Sequence, residues 1–287
     1  MSNHLEYRPQ PLKFDGAPRP LPSLPAVLWI AWFSVREMIR RRRLLSLVAI
    51  NLLPVAVVLI IRIWFQDQGL SAQLQLSSLS HNVFIPFLIP VVAMFVGAGA
   101  IGEMVEEGTI VYLWTRPIRR RSIYLGRLLA AQLTSSLVLS GSLILCFLVM
   151  VSSGLDVIDW AFLKLYLVTF LIIVLGVFSY SALFAAMGTF FKKPVTPAIL
   201  FTFMWESMVS DVPARVQELS LRFHLQNIVD KPRVVSEGLD GMLGALLQTA
   251  FVRTPVPKLQ SVVVLLAVMV LCVALGVWLL RGKEIEK

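Results

Sequence analysis

Long runs of apolar residues constrain this chain more than any other feature, because a soluble core cannot bury them. A bilayer core roughly 30 Å thick is crossed by about 20 apolar residues in helical form. Six runs close to or above that length follow one another along the 287 residues, and only 15% of all residues are charged, against roughly 25% in a soluble domain. The sequence therefore predicts an all-α integral membrane protein with six transmembrane helices.

The six predicted spans are separated by polar segments or by basic clusters. They cover residues 44–64, 82–102, 128–151, 161–189, 194–209 and 259–280. The second span ends in Gly97, Gly99 and Gly102, and small residues of this kind favour close packing between helices. The transmembrane domain as a whole is predicted to extend over residues 44–281.

The segments outside this domain differ in character. We expect residues 1–23 to be a polar, Pro-rich cytoplasmic arm and residues 282–287 to be a cytoplasmic tail. Residues 24–43 carry Trp and Phe side chains followed by arginines, which favours an amphipathic helix lying in the membrane interface. The alternative is that this stretch is simply the start of the first span.

Lysine and arginine predict the orientation, because cytoplasmic loops carry an excess of both. With the amino terminus inside, cytoplasmic segments hold 18 of the 26 basic residues, and the short outer loops 65–81 and 152–160 hold none. Most of the remainder lie in the long loop 210–258, and long loops translocate largely regardless of charge. Both termini and loop 102–127 are therefore predicted to be cytoplasmic.

The cytoplasmic loop 102–127 is the most informative stretch. It reads G-E-M-V-E-E-G-T-I-V-Y-L-W-T-R-P-I-R-R-R-S-I-Y-L-G-R. Glu103, Glu106 and Glu107 share one helical face, Gly108 and Thr109 are suited to end one turn and cap the next, and Pro117 breaks the helix. A ridge with a polar and an apolar face can transmit a push from a cytoplasmic partner. An ordinary solvated loop with basic anchors explains the same residues.

A family resemblance favours the interpretation of loop 102–127 as a ridge that contacts a cytoplasmic partner. The order and spacing resemble the signature of ABC-2-type transporter permeases at Glu103, Gly108, Thr109, Pro117, Arg119 and Gly126. Arg127 stands where that family usually has a lysine, so the charge is kept. The resemblance implies a permease paired with a second, identical or different, permease chain and with cytoplasmic ABC ATPase subunits. It also implies that the ridge docks on the ATPase through Glu103, Glu106, Glu107, Gly108, Thr109, Arg116, Pro117 and Arg119.

Catalytic and nucleotide motifs are missing from the sequence. No G-x-x-x-x-G-K-[ST] loop occurs, so ATP and Mg²⁺ are expected on the partner ATPase, and the chain itself is expected to be neither an enzyme nor a cofactor protein. The three histidines are dispersed, which argues against a metal site. The basic residues lie beside apolar spans, which points to membrane lipid rather than nucleic acid as their partner.

Arg62 and Glu206 are charged residues within predicted spans, and a charge at membrane depth is a functional candidate. Arg62 is near the outer end of the first span, and Glu206 is near the outer end of the fifth. They are candidates for an ion pair or for an outer gate. The alternative for Glu206 is a carboxylate at the interface that reaches water.

Two functions follow. The first is a permease subunit of an ATP-binding cassette transporter, moving a substrate outward through a bacterial inner membrane; export rather than import rests on the resemblance alone. The second is a non-transporting membrane scaffold or assembly factor that holds a cytoplasmic partner on the same ridge. A neighbouring gene for a P-loop ATPase would favour the first function.

The predicted orientation is testable by cysteine labelling from outside sealed cells. After Cys146 and Cys272 are replaced by Ala, a membrane-impermeant maleimide should modify an Asp240→Cys variant and leave a Glu107→Cys variant unmodified. Modification at position 107 in sealed cells would reverse the orientation.

Overall fold

The architecture is entirely helical in the described part of the chain. The computed structural model of the protein describes residues 23–40, 42–64, 72–106, 120–152, 159–191, 193–211, 215–229 and 256–282. Every regular element in these ranges is a helix, and none is a strand. The predicted all-α class is confirmed.

Eleven α-helices lie in the described ranges. They are α1 (Ser23–Arg40), α2 (Arg42–Asn51), α3 (Leu53–Trp64), α4 (Ala72–Leu79), α5 (Ile89–Glu106), α6 (Arg120–Val151), α7 (Trp160–Phe190), α8 (Val195–Leu200), α9 (Glu206–Asp211), α10 (Leu221–Ile228) and α11 (Lys258–Gly282). Two π-helical segments, Ser80–Leu88 and Phe201–Trp205, connect α4 to α5 and α8 to α9. A short 3₁₀ helix, Arg215–Leu219, precedes α10.

Five helical stretches are long and apolar enough to cross a membrane, so the chain is a multi-pass membrane protein. These stretches are Leu44–Trp64, Ala72–Met104, Arg120–Val151, Trp160–Phe190 and Lys258–Leu280. The sixth predicted crossing, residues 194–209, corresponds to a shorter apolar helix, Val195–Trp205. A helix of that length is too short to span a bilayer alone, so this crossing stays a prediction.

Two helices begin earlier than the apolar pattern predicts. The second candidate span begins at Ala72 instead of residue 82, and the third begins at Arg120 instead of residue 128. Arginine is a good helix former, so α6 continues through its basic residues below the apolar run. Pro86 lies in the π-helical segment, where its missing N–H is accommodated without ending the helix.

Helix α5 lies at the centre of the bundle and packs closely on α7. The stretch Ala72–Met104 has 78% of its most apolar window buried, the largest share among the five candidate spans. A Cβ added at Gly188 would lie 2.9 Å from the Ala98 carbonyl oxygen, and one added at Gly97 would lie 3.1 Å from Ser181 Cα. The two backbones therefore approach more closely than side chains at these positions would allow, as expected for small residues.

Helix α1 runs alongside α6. A Cβ added at Gly126 would lie 2.8 Å from Ile30, while the Thr134 hydroxyl lies 3.9 Å from the Met38 sulfur. The contacts advance by eight residues on both helices, so the two run side by side in the same direction. A helix in the plane of the interface would cross α6 steeply, so the interfacial placement of this segment stays a prediction.

Some of the predicted segments lie outside the described residues. They are the arm before Ser23, most of the loop 210–258 and the tail beyond Gly282.

The α5–α7 contact generates a paired prediction. Gly188→Ala should lower the free energy of unfolding of the purified protein by about 1–3 kcal/mol, and with it the unfolding temperature, because the new methyl group meets the α5 backbone. Gly141→Ala in α6 is the control, since a Cβ there has no neighbour within 4 Å. The control should be neutral or slightly stabilising. Equal unfolding temperatures for the two variants would contradict the close contact.

Candidate functional site

The predicted coupling ridge is described only at its two ends. Glu103 and Glu106 belong to the last turn of α5, and α6 begins at Arg120. The other ridge residues lie outside the described residues, so their role stays a prediction. They are Glu107, Gly108, Thr109, Arg116, Pro117 and Arg119.

The Glu103 side chain folds back along its own helix. It is half-buried, and its Oε1 atom would lie 3.0 Å from a Cβ added at Gly99, one turn earlier. Glycine at position 99 therefore leaves room for this carboxylate beside the α5 surface. Glu103 is also one of the residues that line the cavity described below.

The other end of the ridge is held by Arg127, which contacts two helices. Its guanidinium donates to the Ala100 carbonyl oxygen on α5 and to a Glu37 carboxylate oxygen on α1, each at 3.4 Å. The Arg127 and Glu37 side chains are 16% and 30% exposed, so the pair is only partly screened by solvent. The guanidinium thus joins α1, α5 and α6 where the ridge enters and leaves the bundle.

Sequence reasoning identified Arg127 only as a substitution in the family signature and did not select Glu37. The two residues are 90 positions apart, and each sits beside an apolar run, where basic residues read as membrane anchors. The one available signal was an acidic residue among the arginines of α1.

A cavity of about 420 Å³ opens beside these charges. Its walls come from α1, α2, α5, α6 and the start of α8. Apolar side chains and the three charged residues line it together; they are Met38, Leu44, Leu47, Ile50, Phe95, Val96, Pro194 and Val195, with Glu37, Glu103 and Arg127. Volumes of roughly 300–1,000 Å³ with mostly apolar walls and a few polar groups are typical of small-molecule sites.

Glu206 is held by the segment that follows it. Its carboxylate is only 3% exposed, and it accepts hydrogen bonds from the Ser220 hydroxyl and from the Leu221 and Arg222 backbone N–H groups, the latter two at 3.2 Å. These N–H groups open α10, where a negative charge is favourable because the helix dipole is positive there. The interpretation of Glu206 as a carboxylate reaching water does not fit this burial.

Arg62 has different partners. It donates to the Val149 carbonyl oxygen and to the Ser152 hydroxyl at the end of α6. Arg62 and Glu206, both described, do not form an ion pair with each other, so the expected pairing is not found. The physical reason is that α10 returns to Glu206 and satisfies its carboxylate. An outer-gate role for either residue stays a prediction.

Helix α10 is also attached to α11 by a polar cluster. The His224 ring lies 3.2 Å from the Ser261 hydroxyl and 2.8 Å from the Glu218 carbonyl oxygen. The Asn227 amide donates to the same hydroxyl and to the Val256 carbonyl oxygen. Nothing in the sequence around His224 indicates that its ring is buried against a neighbouring span.

Metal-binding groups are not assembled in the described part of the chain. No group of three or more His, Cys, Asp or Glu side chains there is placed to hold a metal ion. Cys146 and Cys272 are free and buried.

Comparison with known families gives one match. A family model described as ABC-2 family transporter protein matches residues 28–285, from the first turns of α1 to beyond the end of α11. None of the curated proteins compared with the chain matches it.

Proposed function

The chain belongs to the ABC-2 family of transporter membrane proteins, and from that membership we propose that it is the permease subunit of an exporter powered by a separate ATPase. Proteins of this family are membrane subunits without an ATPase domain. The observation that carries the proposal is the family match over residues 28–285 together with five helices able to span a membrane.

The contacts at the two ends of the ridge support a coupling role. Glu103 lies in the last turn of α5, Arg127 lies near the start of α6, and Glu37 attaches α1 to Arg127. A force applied to the loop between α5 and α6 would therefore act on three helices together. Because α5 also contacts α7 backbone to backbone, the movement would pass to α7 as a rigid-body shift.

We propose two kinds of protein partner and one kind of environment. A cytoplasmic ABC ATPase, carrying ATP and Mg²⁺, docks on the ridge, and a second permease chain of the same or a different kind completes the pathway. The outward surfaces of α3 and α11 are rich in exposed apolar side chains, such as Ile63, Trp64, Leu271 and Trp278. Such surfaces suit bilayer lipid or a second permease chain. The proposed location is a bacterial inner membrane with both termini cytoplasmic.

The Glu103→Lys variant tests the coupling role. Reversing this charge at a docking surface should weaken ATPase association or stimulated ATP hydrolysis about tenfold or more, because like charges facing each other across an interface cost several kcal/mol. The spans should remain folded, since their stability comes from helix packing and lipid burial. The measurements are the yield of the co-purified complex and its ATP hydrolysis rate.

Glu218→Lys is the matched control. It makes the same charge reversal in the 3₁₀ helix near α10, in the loop predicted to lie outside. Normal complex yield and normal hydrolysis with Glu103→Lys would show that Glu103 is not part of the docking surface. A wild-type chain that never associates with an ATPase would favour the scaffold alternative.

A further inference from the structure

We propose that the cavity between α1, α2, α5 and α6 binds an amphipathic molecule with a cationic headgroup, such as a long-chain amine. The class of ligand is argued from the residues that line the cavity. Its role as a transported molecule rests on the proposed function. It adds a class of ligand, and a position for that ligand, to the permease assignment.

The cavity has one charged end and one apolar end. Along α5 the lining residues run from Phe95 and Val96 through Gly99 to Glu103, which is the closest of them to the end of the helix. Arg127 lines the cavity from the first two turns of α6. The charges therefore collect at the end beside the predicted coupling loop, and the lining farther from that loop is mostly apolar, with Thr134 of α6 among it.

The apolar end offers walls on two sides. Leu47 and Ile50 line it from α2, and Phe95 and Val96 line it from α5. An alkyl chain placed between these walls would lose its contact with water, which contributes about 0.8 kcal/mol for each buried CH₂ group. An apolar body with a single polar end therefore matches the shape of the cavity better than a compact ion does.

The charged end selects a cation. Two carboxylates, Glu37 and Glu103, and one guanidinium, Arg127, are the charged groups among the described lining residues, which leaves one net negative charge. Arg127 already donates to Glu37 and to the Ala100 carbonyl oxygen, so an anionic head would have to compete with both acceptors. A carboxylate has about four lone-pair sites, so a carboxylate such as that of Glu37 or Glu103 can accept from an ammonium group in addition to a protein donor.

The direct test uses three probes that share one alkyl chain. Octylamine, octanol and octanoate are titrated into the full chain in nanodiscs, without ATPase or nucleotide, and the thermal unfolding temperature is followed. A ligand that binds the folded state raises that temperature in a concentration-dependent way. Octylamine should bind at least tenfold more tightly than octanol or octanoate.

Three variants locate the effect. Glu37→Gln and Glu103→Gln should each weaken octylamine binding about tenfold, whereas Glu218→Gln, which removes one carboxylate outside the cavity, should leave it unchanged. If the carboxylate variants do not fold, Val96→Phe decides, since it fills the apolar end and keeps both carboxylates. Loss of the octylamine response in folded Val96→Phe supports the site.

Three results would overturn the proposal. Equal responses to all three probes would mean an apolar cavity with no choice of headgroup. A stronger response to octanoate would assign the charged end to anions through Arg127. An undiminished octylamine response in Val96→Phe would place the binding elsewhere. None of these results bears on ATPase association, so failure here is distinct from failure of the permease assignment.

Discussion

Charges enclosed by an apolar helical bundle need partners within the protein, and this constraint shapes both ends of the structure. An unpaired charge away from water costs several kcal/mol or more. Arg127 meets the constraint with a carboxylate from α1 and a carbonyl from α5. Glu206 meets it with a hydroxyl and two backbone N–H groups at the start of α10. In each case, segments distant in sequence are brought together around one charged group.

Helix α5 connects the Arg127 contact to the centre of the bundle. Gly97 and Gly188 allow α5 and α7 to touch along their backbones, so α5 is fixed at its middle and carries Glu103 at its end. Interiors packed in this way shift as rigid bodies because they have few soft contacts to absorb a displacement. This packing supports the proposed transmission of a movement from the ridge through α5 to α7, with the cavity beside the Glu103 end of α5.

The sequence predicted the parts of the fold that depend on local composition. Apolar run length located the five long spans, and the Gly-rich end of α5 predicted its close packing. The early start of α6 was missed because Arg127 ends the apolar run without ending the helix. The prediction for residues 194–209 rested on hydropathy alone, and the helix Val195–Trp205 is shorter than a span requires.

The candidate site was less accessible to sequence reasoning, because its contacts join distant positions. Nothing near Glu206 indicates that Ser220 and the start of α10 return to it, so pairing with Arg62 was the expectation. Similarly, Glu37 and Arg127 have no common local pattern. Such contacts are set by how helices pack, and periodicity within one helix carries no information about its neighbour's register.

The central claim is that Arg127 and Glu37 act as one unit holding α1 and the ridge to the bundle. A double-mutant cycle with Glu37→Gln, Arg127→Gln and the double variant tests it, with thermal stability and ATPase stimulation as readouts. The account predicts that the double variant loses clearly less than the sum of the single losses, with an interaction free energy of about 1 kcal/mol or more. Additive losses would show that the two residues act independently and would contradict the account.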